Sequence, residues 1–211
     1  MRILIAGATG NTGTRLTNQL AEAGHEPIAL VRETSDTSAL PAGCETRQAD
    51  LTDLPEDVAK GVDAVIFAAG SGGDTSAEMT DKVDRDGAMA LVDRSEQAGV
   101  KRFVMLSSVG TDDPDSGPDA MQHYLKAKRA ADDHLIASGL NYVIVRPVSL
   151  TDDYGTGEIE LSTDHVDGKK ISRDDVAAVL AECATAKTPG KVVFEIAGRG
   201  MPVGEALATL R

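Results

Sequence analysis

Short apolar runs recur along the first 147 residues, each closed by glycine or a polar turn and each followed by a stretch of helical spacing. RILIA (2–6) comes first and reads as a buried strand. Over 11–23, Leu16 and Leu20 fall one turn apart and Gly24 follows, which predicts a helix with its stop. PIALV (27–31) is a second strand, and the alternating CETRQA (44–49) a weaker third. A short helix is expected over 53–60, then the strongly apolar strand VDAVIFAA (62–69). A long helix over 76–98 stops at Gly99, the strand RFVMLSS follows at 102–108, and a helix over 120–138 ends at Gly139. NYVIVRP (141–147) is a strand that proline stops.

Strands and helices that alternate in this way predict an α/β fold: a Rossmann-like, doubly wound parallel sheet with helices on both faces and right-handed crossovers. At 211 residues the chain can bury one sizeable core, so 1–211 is expected to form a single domain. Residues 1–147 are its cofactor-binding core, and the rhythm changes after Pro147. A polar, turn-rich stretch precedes a helix over 173–185, a strand at 191–197 and a short helix over 202–210. This extension, 148–211, is too short for a domain of its own and is expected to cover one end of the sheet and form part of a substrate pocket.

The turn after the first strand reads GATGNTG, with glycines at 7, 10 and 13. A glycine inside a helix costs about 1 kcal/mol relative to alanine, so three at fixed spacing need a reason. In a strand–turn–helix unit the first permits the tight turn, the second lets backbone approach a pyrophosphate, and the third lets helix and strand pack closely. The helix N-terminus then offers unpaired N–H groups and a partial positive charge to the phosphates. Gly7, Thr9, Gly10, Asn11, Thr12 and Gly13 are therefore candidate contacts to a dinucleotide. The spacing is GxxGxxG rather than GxGxxG, and its context is what gives it weight. Arg32 stands at the end of the second strand, where an acidic residue would hold the ribose of NAD. Its guanidinium suits a 2′-phosphate, which favours NADP; Glu33 beside it keeps NAD open.

HYLKAK places Tyr124 and Lys128 four residues apart on one helix face, and the preceding strand ends in Ser107 and Ser108. In open parallel sheets ligands bind beyond the carboxyl ends of the strands, where those serines lie. A phenol of ordinary pKa near 10 is a poor proton donor or acceptor at neutrality, but a neighbouring ammonium favours its phenolate. Tyrosine can then act as general acid when a carbonyl is reduced and as general base in reverse. A serine hydroxyl would hold the carbonyl oxygen. YxxxK alone is common; its company here is what makes it a candidate.

On GATGNTG, VR (31–32), Asp50-Leu51, AAG (68–70), MLSSVG (105–110), HYLKAKRAADDHL (123–135) and GLNYVIVRPVSL (139–150), the chain resembles the atypical short-chain dehydrogenase/reductases, specifically small bacterial NAD(P)H-binding proteins of the epimerase/dehydratase-like kind. The resemblance spans nearly the whole chain. It implies a pyrophosphate at the three glycines, Arg32 at the adenosine ribose, and Asp50 and Leu51 flanking the adenine. Ala68, Ala69 and Gly70 would lie at the cofactor ribose, with Ser107 nearby and Pro147 and Val148 bordering the nicotinamide. Ser108, Tyr124 and Lys128 would form the catalytic set, Lys128 also holding the nicotinamide ribose. Asp84 in VDRDGA departs from relatives with a larger sugar-nucleotide domain, which often carry Asn there.

Composition narrows the partners. Net charge is −13 and aromatics are 3% with no tryptophan, which argues against nucleic acid and anionic membranes. The acids are 22 Asp against 12 Glu, read as a solubilising surface, with adaptation to high salt as the alternative. The Asp pairs at 132–133, 152–153 and 174–175 read as solvated faces and helix starts, and DDPDSGPD (112–119) as an acidic turn at the rim of the site. Two cysteines make no disulfide framework, and no metal-ligand spacing is present. With no apolar run of membrane-spanning length and no signal-peptide pattern, the expected setting is cytoplasmic, as monomer or homodimer. The function expected is NAD(P)-dependent hydride transfer to or from a small carbonyl or alcohol. A non-turning-over NAD(P) sensor or interaction protein is the second reading, and a nucleotide-sugar epimerase or dehydratase the third.

Overall fold

The computed structural model describes residues 1–71, 76–185 and 188–210. Six parallel strands build the first half: β1 (Arg2–Ala6), β2 (Glu26–Val31), β3 (Glu45–Gln48), β4 (Ala64–Phe67), β5 (Arg102–Leu106) and β6 (Tyr142–Pro147). β4, β5 and β6 are buried at every position, as continuous apolar runs require when both faces are covered. Later strands join at the β6 side: β8 (Glu158–Ser162), β10 (Val192–Gly198) and β11 (Met201–Pro202). The nine-stranded order is β11-β8-β10-β6-β5-β4-β1-β2-β3. β10 runs parallel to β6, whereas β8 is antiparallel to β10. The chain reverses its winding between β1 and β4, the switch point at whose carboxyl side open sheets of this kind take their ligands. The doubly wound α/β sheet anticipated above is thus the fold.

Helices cover both faces. α1 (Asn11–Glu22) and α5 (Arg173–Thr185) pack together on one, over Ile3, Ile5, Ile66, Val104 and Val145. α2 (Ala77–Thr80), α3 (Ala88–Gln97) and α4 (Asp119–Ala137) cover the other, over Leu4, Val65, Phe67, Phe103 and Ile144. α6 (Val203–Ala208) closes the chain beside β8.

Three sequence expectations need correction. Residues 53–60 form turns, not a helix, with Val58 N–H on the Pro55 carbonyl and Lys60 N–H on that of Asp57. Leu54 and Val58 are buried four residues apart, the spacing that suggested a helix, but the burial is met by turns. The helix expected over 76–98 is interrupted: Asp81–Gly87 is π-helical, and a Cβ on Gly87 would lie 2.9 Å from the Leu51 Cβ. The bare Cα of Gly87 leaves room for Leu51. Finally, the stretch after Pro147 holds β7 (Ser149–Thr151) and β9 (Lys170–Ser172), paired in a small ladder of their own, as well as β8.

The acids there are not merely solvated. Asp174 and Asp175, at the start of α5, accept backbone N–H groups of Gly155, Thr156 and Gly157. Glu195 and Glu160 accept those of Val166, Asp167 and Gly168. Four carboxylates thereby hold two loops that carry few apolar side chains. Among the described residues no helix is long and apolar enough to cross a membrane.

Candidate active site

At the switch point between β1 and β4, the glycine turn is built by contact. Gly7 has φ +83°, and a Cβ there would sit 2.6 Å from the Ala69 backbone. Only glycine fits against the end of β4, whose Ala68 N–H is bonded to the Ala6 carbonyl at 2.9 Å. A Cβ on Gly13 would fall 1.9 Å from the Gly7 carbonyl oxygen, so α1 can pack this closely only through a bare Cα. Gly10 differs: it is exposed, and its Cβ would meet only the Gly7 oxygen at 3.3 Å. Gly10 also caps α1 without any side-chain hydrogen bond, and the first turn contains no acid. Among the described residues the opening N–H donors of α1 are therefore unspent, and the helix dipole is uncompensated. The residues fit a diphosphate: an uncapped helix start, approached over an exposed glycine.

Toward β2 and β3, Arg32 and Asp50 are both exposed. Asp50 Oδ1 accepts from the Thr52 N–H (2.8 Å) and hydroxyl (2.7 Å). Those two donors, with Arg32 a smaller contributor, hold its carboxyl below the usual carboxylate value. Leu51 is half-buried against Gly87. Ala68 and Ala69 are half-buried and Gly70 is exposed at the end of β4. Under Gly70 lies Asp84, 0% exposed, accepting the Ser71 N–H at 3.0 Å. Residues 72–75, in the loop after Gly70, lie outside the described residues.

At the end of β5 the two serines part ways. Ser107 is buried and its hydroxyl donates to Asp132 Oδ2 at 2.8 Å. Ser108 is half-buried, and among the described residues its hydroxyl donates to the neighbouring Val109 carbonyl at 3.1 Å. Lys128 is 2% exposed. Its ammonium donates to the Leu106 carbonyl at 2.6 Å and lies 5.6 Å from the centre of the Phe67 ring, a cation–π contact. α4 follows β5 and leads into β6, so its N-terminal turns lie at the carboxyl end of the sheet. Tyr124, one turn before Lys128 and about 6 Å along the axis, is half-buried there. Pro147 and Val148, buried, end β6 alongside.

Sequence reasoning missed two parts of this region. The first is the Asp132–Arg146 pair: Asp132 is fully buried rather than solvated, and Arg146 donates to it through Nε (3.2 Å) and Nη2 (3.1 Å). Asp132 makes no hydrogen bond with Lys128, one turn before it; the Lys128 ammonium goes to the Leu106 carbonyl. The second is the π-helical stretch that carries Asp84 inward. The rim turn at 112–119 is tied down, Asp112 to Arg146 and Asp115 to Lys126. His123 reaches Ala77 and Asp81 across the helix pair.

Sheet order, glycine turn and strand-end serines define a dinucleotide-binding protein of the Rossmann type. The model of the NAD(P)H-binding family matches residues 7–187, and the chain belongs to that family. It is 37% identical over 215 residues to an uncharacterized sugar epimerase of Bacillus subtilis, with all of both chains covered. A solved Bacillus halodurans structure, assigned provisionally as an NAD-dependent epimerase/dehydratase, superposes with TM-score 0.92 at 38% identity over all of both chains. The Lactococcus lactis oxidoreductase YlbE gives TM-score 0.85 at 29% identity, covering 100% of this chain and 96% of that one.

Proposed function

We propose that the protein is an NADP-dependent oxidoreductase of a small carbonyl compound, with Tyr124 as the proton donor. One observation carries the reading: a lysine only 2% exposed, one helical turn from a half-buried tyrosine, at the carboxyl end of the central strands. A lysine is rarely buried without a task, since desolvation opposes its charge. Lys128 spends one N–H on the Leu106 carbonyl, which leaves donors for a ribose hydroxyl and a positive field for the phenol.

When bound, the nicotinamide supplies a hydride at its ring. The chain's residues do the rest. The opening amides of α1 hold the diphosphate over Gly10, with Thr9, Asn11 and Thr12 alongside. Arg32 pairs with the 2′-phosphate, and the free Oδ2 of Asp50 takes a donor from the adenine. Ser108 hydrogen-bonds the substrate carbonyl oxygen and Tyr124 gives it a proton. Residues 148–211 enclose the substrate. The unpaired thiols Cys44 and Cys183 suit a reducing, cytoplasmic setting.

The test is NADPH oxidation across a panel of aldehydes, ketones and quinones, for wild type and Tyr124→Phe. Loss of a general acid costs about 10²–10⁴-fold, so the variant should lose turnover and keep its NADPH affinity. Equal turnover in the variant would remove Tyr124 from the chemistry. Tight NADPH binding with no turnover on the panel would instead favour a redox sensor. A thermal shift with nucleotide-sugars would favour the epimerase reading, which the names of the two Bacillus relatives suggest.

A further inference from the structure

We propose that Asp132 is a positioning residue for that reaction: it locks the Ser107–Ser108 turn to α4 and so sets the Ser108 hydroxyl relative to Tyr124. The inference rests on the oxidoreductase reading and adds a residue to it. Helix α4 touches the end of β5 by two polar stitches. Lys128 holds the Leu106 carbonyl at 2.6 Å, and Asp132, one turn later, holds the Ser107 hydroxyl at 2.8 Å. On the other side, β6 holds the same turn by backbone: Ser107 N–H to the Val145 carbonyl (2.8 Å) and Val109 N–H to that of Pro147 (3.1 Å). Ser108 lies between these ties. The β6 contacts fix it to the sheet; the two α4 contacts, with a longer path from Arg129 to the Thr111 carbonyl (3.3 Å) and from the Thr111 hydroxyl to the Ser108 carbonyl (3.0 Å), fix it to the helix that carries Tyr124.

Stability is a poor explanation for a carboxyl at this place. Asp132 is 0% exposed, and burial pushes its carboxyl up against the opposing pull of Arg146, Ser107 and Lys128. One of its oxygens, Oδ1, has no partner among the described residues. Buried ion pairs seldom outperform a well-packed apolar replacement, whereas they do impose direction. Here all the direction is spent through Oδ2, on the serine and on Arg146, whose other partner is Asp112 at the start of the rim turn. The group therefore orients a hydroxyl and a loop, and a misplacement on the order of 1 Å at a reacting group can cost about 10²-fold in rate.

The experiment compares wild type with Ser107→Ala, Asp132→Ala, Asp132→Asn and the Ser107→Ala/Asp132→Ala double variant. NADPH with 9,10-phenanthrenequinone is the turnover probe, NADPH fluorescence gives its Kd, and amide hydrogen exchange reads the Val109 N–H. Ser107→Ala and Asp132→Ala should each lower kcat about 10- to 100-fold, with the NADPH Kd within about twofold. The double variant should be no slower than the slower single, because both act through one contact. Asp132→Asn, which keeps an oxygen for Ser107, should recover to within about threefold of wild type. Val109 exchange should rise at least about tenfold in Asp132→Ala. If Asp132→Ala does not fold, Ser107→Ala, which removes only a hydroxyl, carries the comparison. Losses that multiply in the double variant, an NADPH Kd that rises in step with the kcat loss, or unchanged Val109 exchange would overturn the assignment. If wild type turns over neither the quinone nor any other member of the carbonyl panel, the oxidoreductase reading has failed, and exchange at Val109 alone decides whether Asp132 locks the turn.

Discussion

Alanine at position 13 would put a methyl carbon 1.9 Å from the Gly7 carbonyl oxygen, 2.7 Å from its carbon and 2.9 Å from the Ala8 Cα. All three are backbone atoms, so no side chain can swing aside, and the first turn of α1 must lift by more than about 1 Å to restore ordinary contact. Overpacking of this kind costs about 1–3 kcal/mol, and the upper end applies where only backbone can move. Alanine returns about 1 kcal/mol of helix propensity, which leaves a net loss of about 2 kcal/mol. For a chain of this size that is a fall in Tm of about 4–8 °C. Gly10→Ala is the control. Its Cβ meets only the Gly7 oxygen, at 3.3 Å, and its φ of −78° is open to any residue, so the apo protein should melt near wild type. The methyl nevertheless stands where the diphosphate would approach. NADPH at 100 times its Kd adds about 2.7 kcal/mol of stability. Thermal melts with and without NADPH separate the two effects. Gly13→Ala should lower the apo Tm and abolish the NADPH shift, whereas Gly10→Ala should keep the apo Tm and lose the shift. A wild-type NADPH shift in Gly10→Ala, or an unchanged Tm in Gly13→Ala, would refute this reasoning.

Arg32→Ala should weaken NADPH about 10- to 100-fold while leaving NADH within about twofold, since only the 2′-phosphate loses a charge-assisted partner. Equal weakening of both would place Arg32 elsewhere on the cofactor. The two thiols should titrate separately. Burial pushes Cys183 up to about 12, so its thiolate is scarce at any ordinary pH, and it is 0% exposed. A thiol-specific disulfide reagent at mildly alkaline pH should modify Cys44 in the native protein, slowly because partial burial also raises its thiol. Cys183 should react only after denaturation; native-state labelling of both would contradict the packing under α5.

Much of the fold was legible because parallel strands buried on both faces must read as unbroken apolar runs, as AVIF at 64–67 and RFVML at 102–106 do. The glycine turn was legible for a similar reason: the backbone approach at Gly7 and Gly13 excludes every other side chain. What escaped was set by tertiary contact. β8 alternates Ile159 and Leu161 within an acidic stretch, and its pairing with β10 and β11 makes it a strand. The π-helical turn at 81–87 ends on Gly87, which packs against Leu51 far back in the chain, and no local pattern announces it. Asp132 looked like one half of a solvated pair because a carboxylate's burial depends on Arg146, which arrives with the next strand. In the candidate site, the Tyr124–Lys128 spacing could be read directly, but the division of labour between Ser107 and Ser108 needed the direction of each hydroxyl.

A crystal structure of the NADPH complex tests most directly whether this chain is built to deliver a nicotinamide to a phenol. The expected result is a diphosphate on the opening amides of α1, above Gly10, with the reactive ring facing the Tyr124 hydroxyl. A nucleotide bound elsewhere, or Tyr124 turned away from the ring, would contradict it.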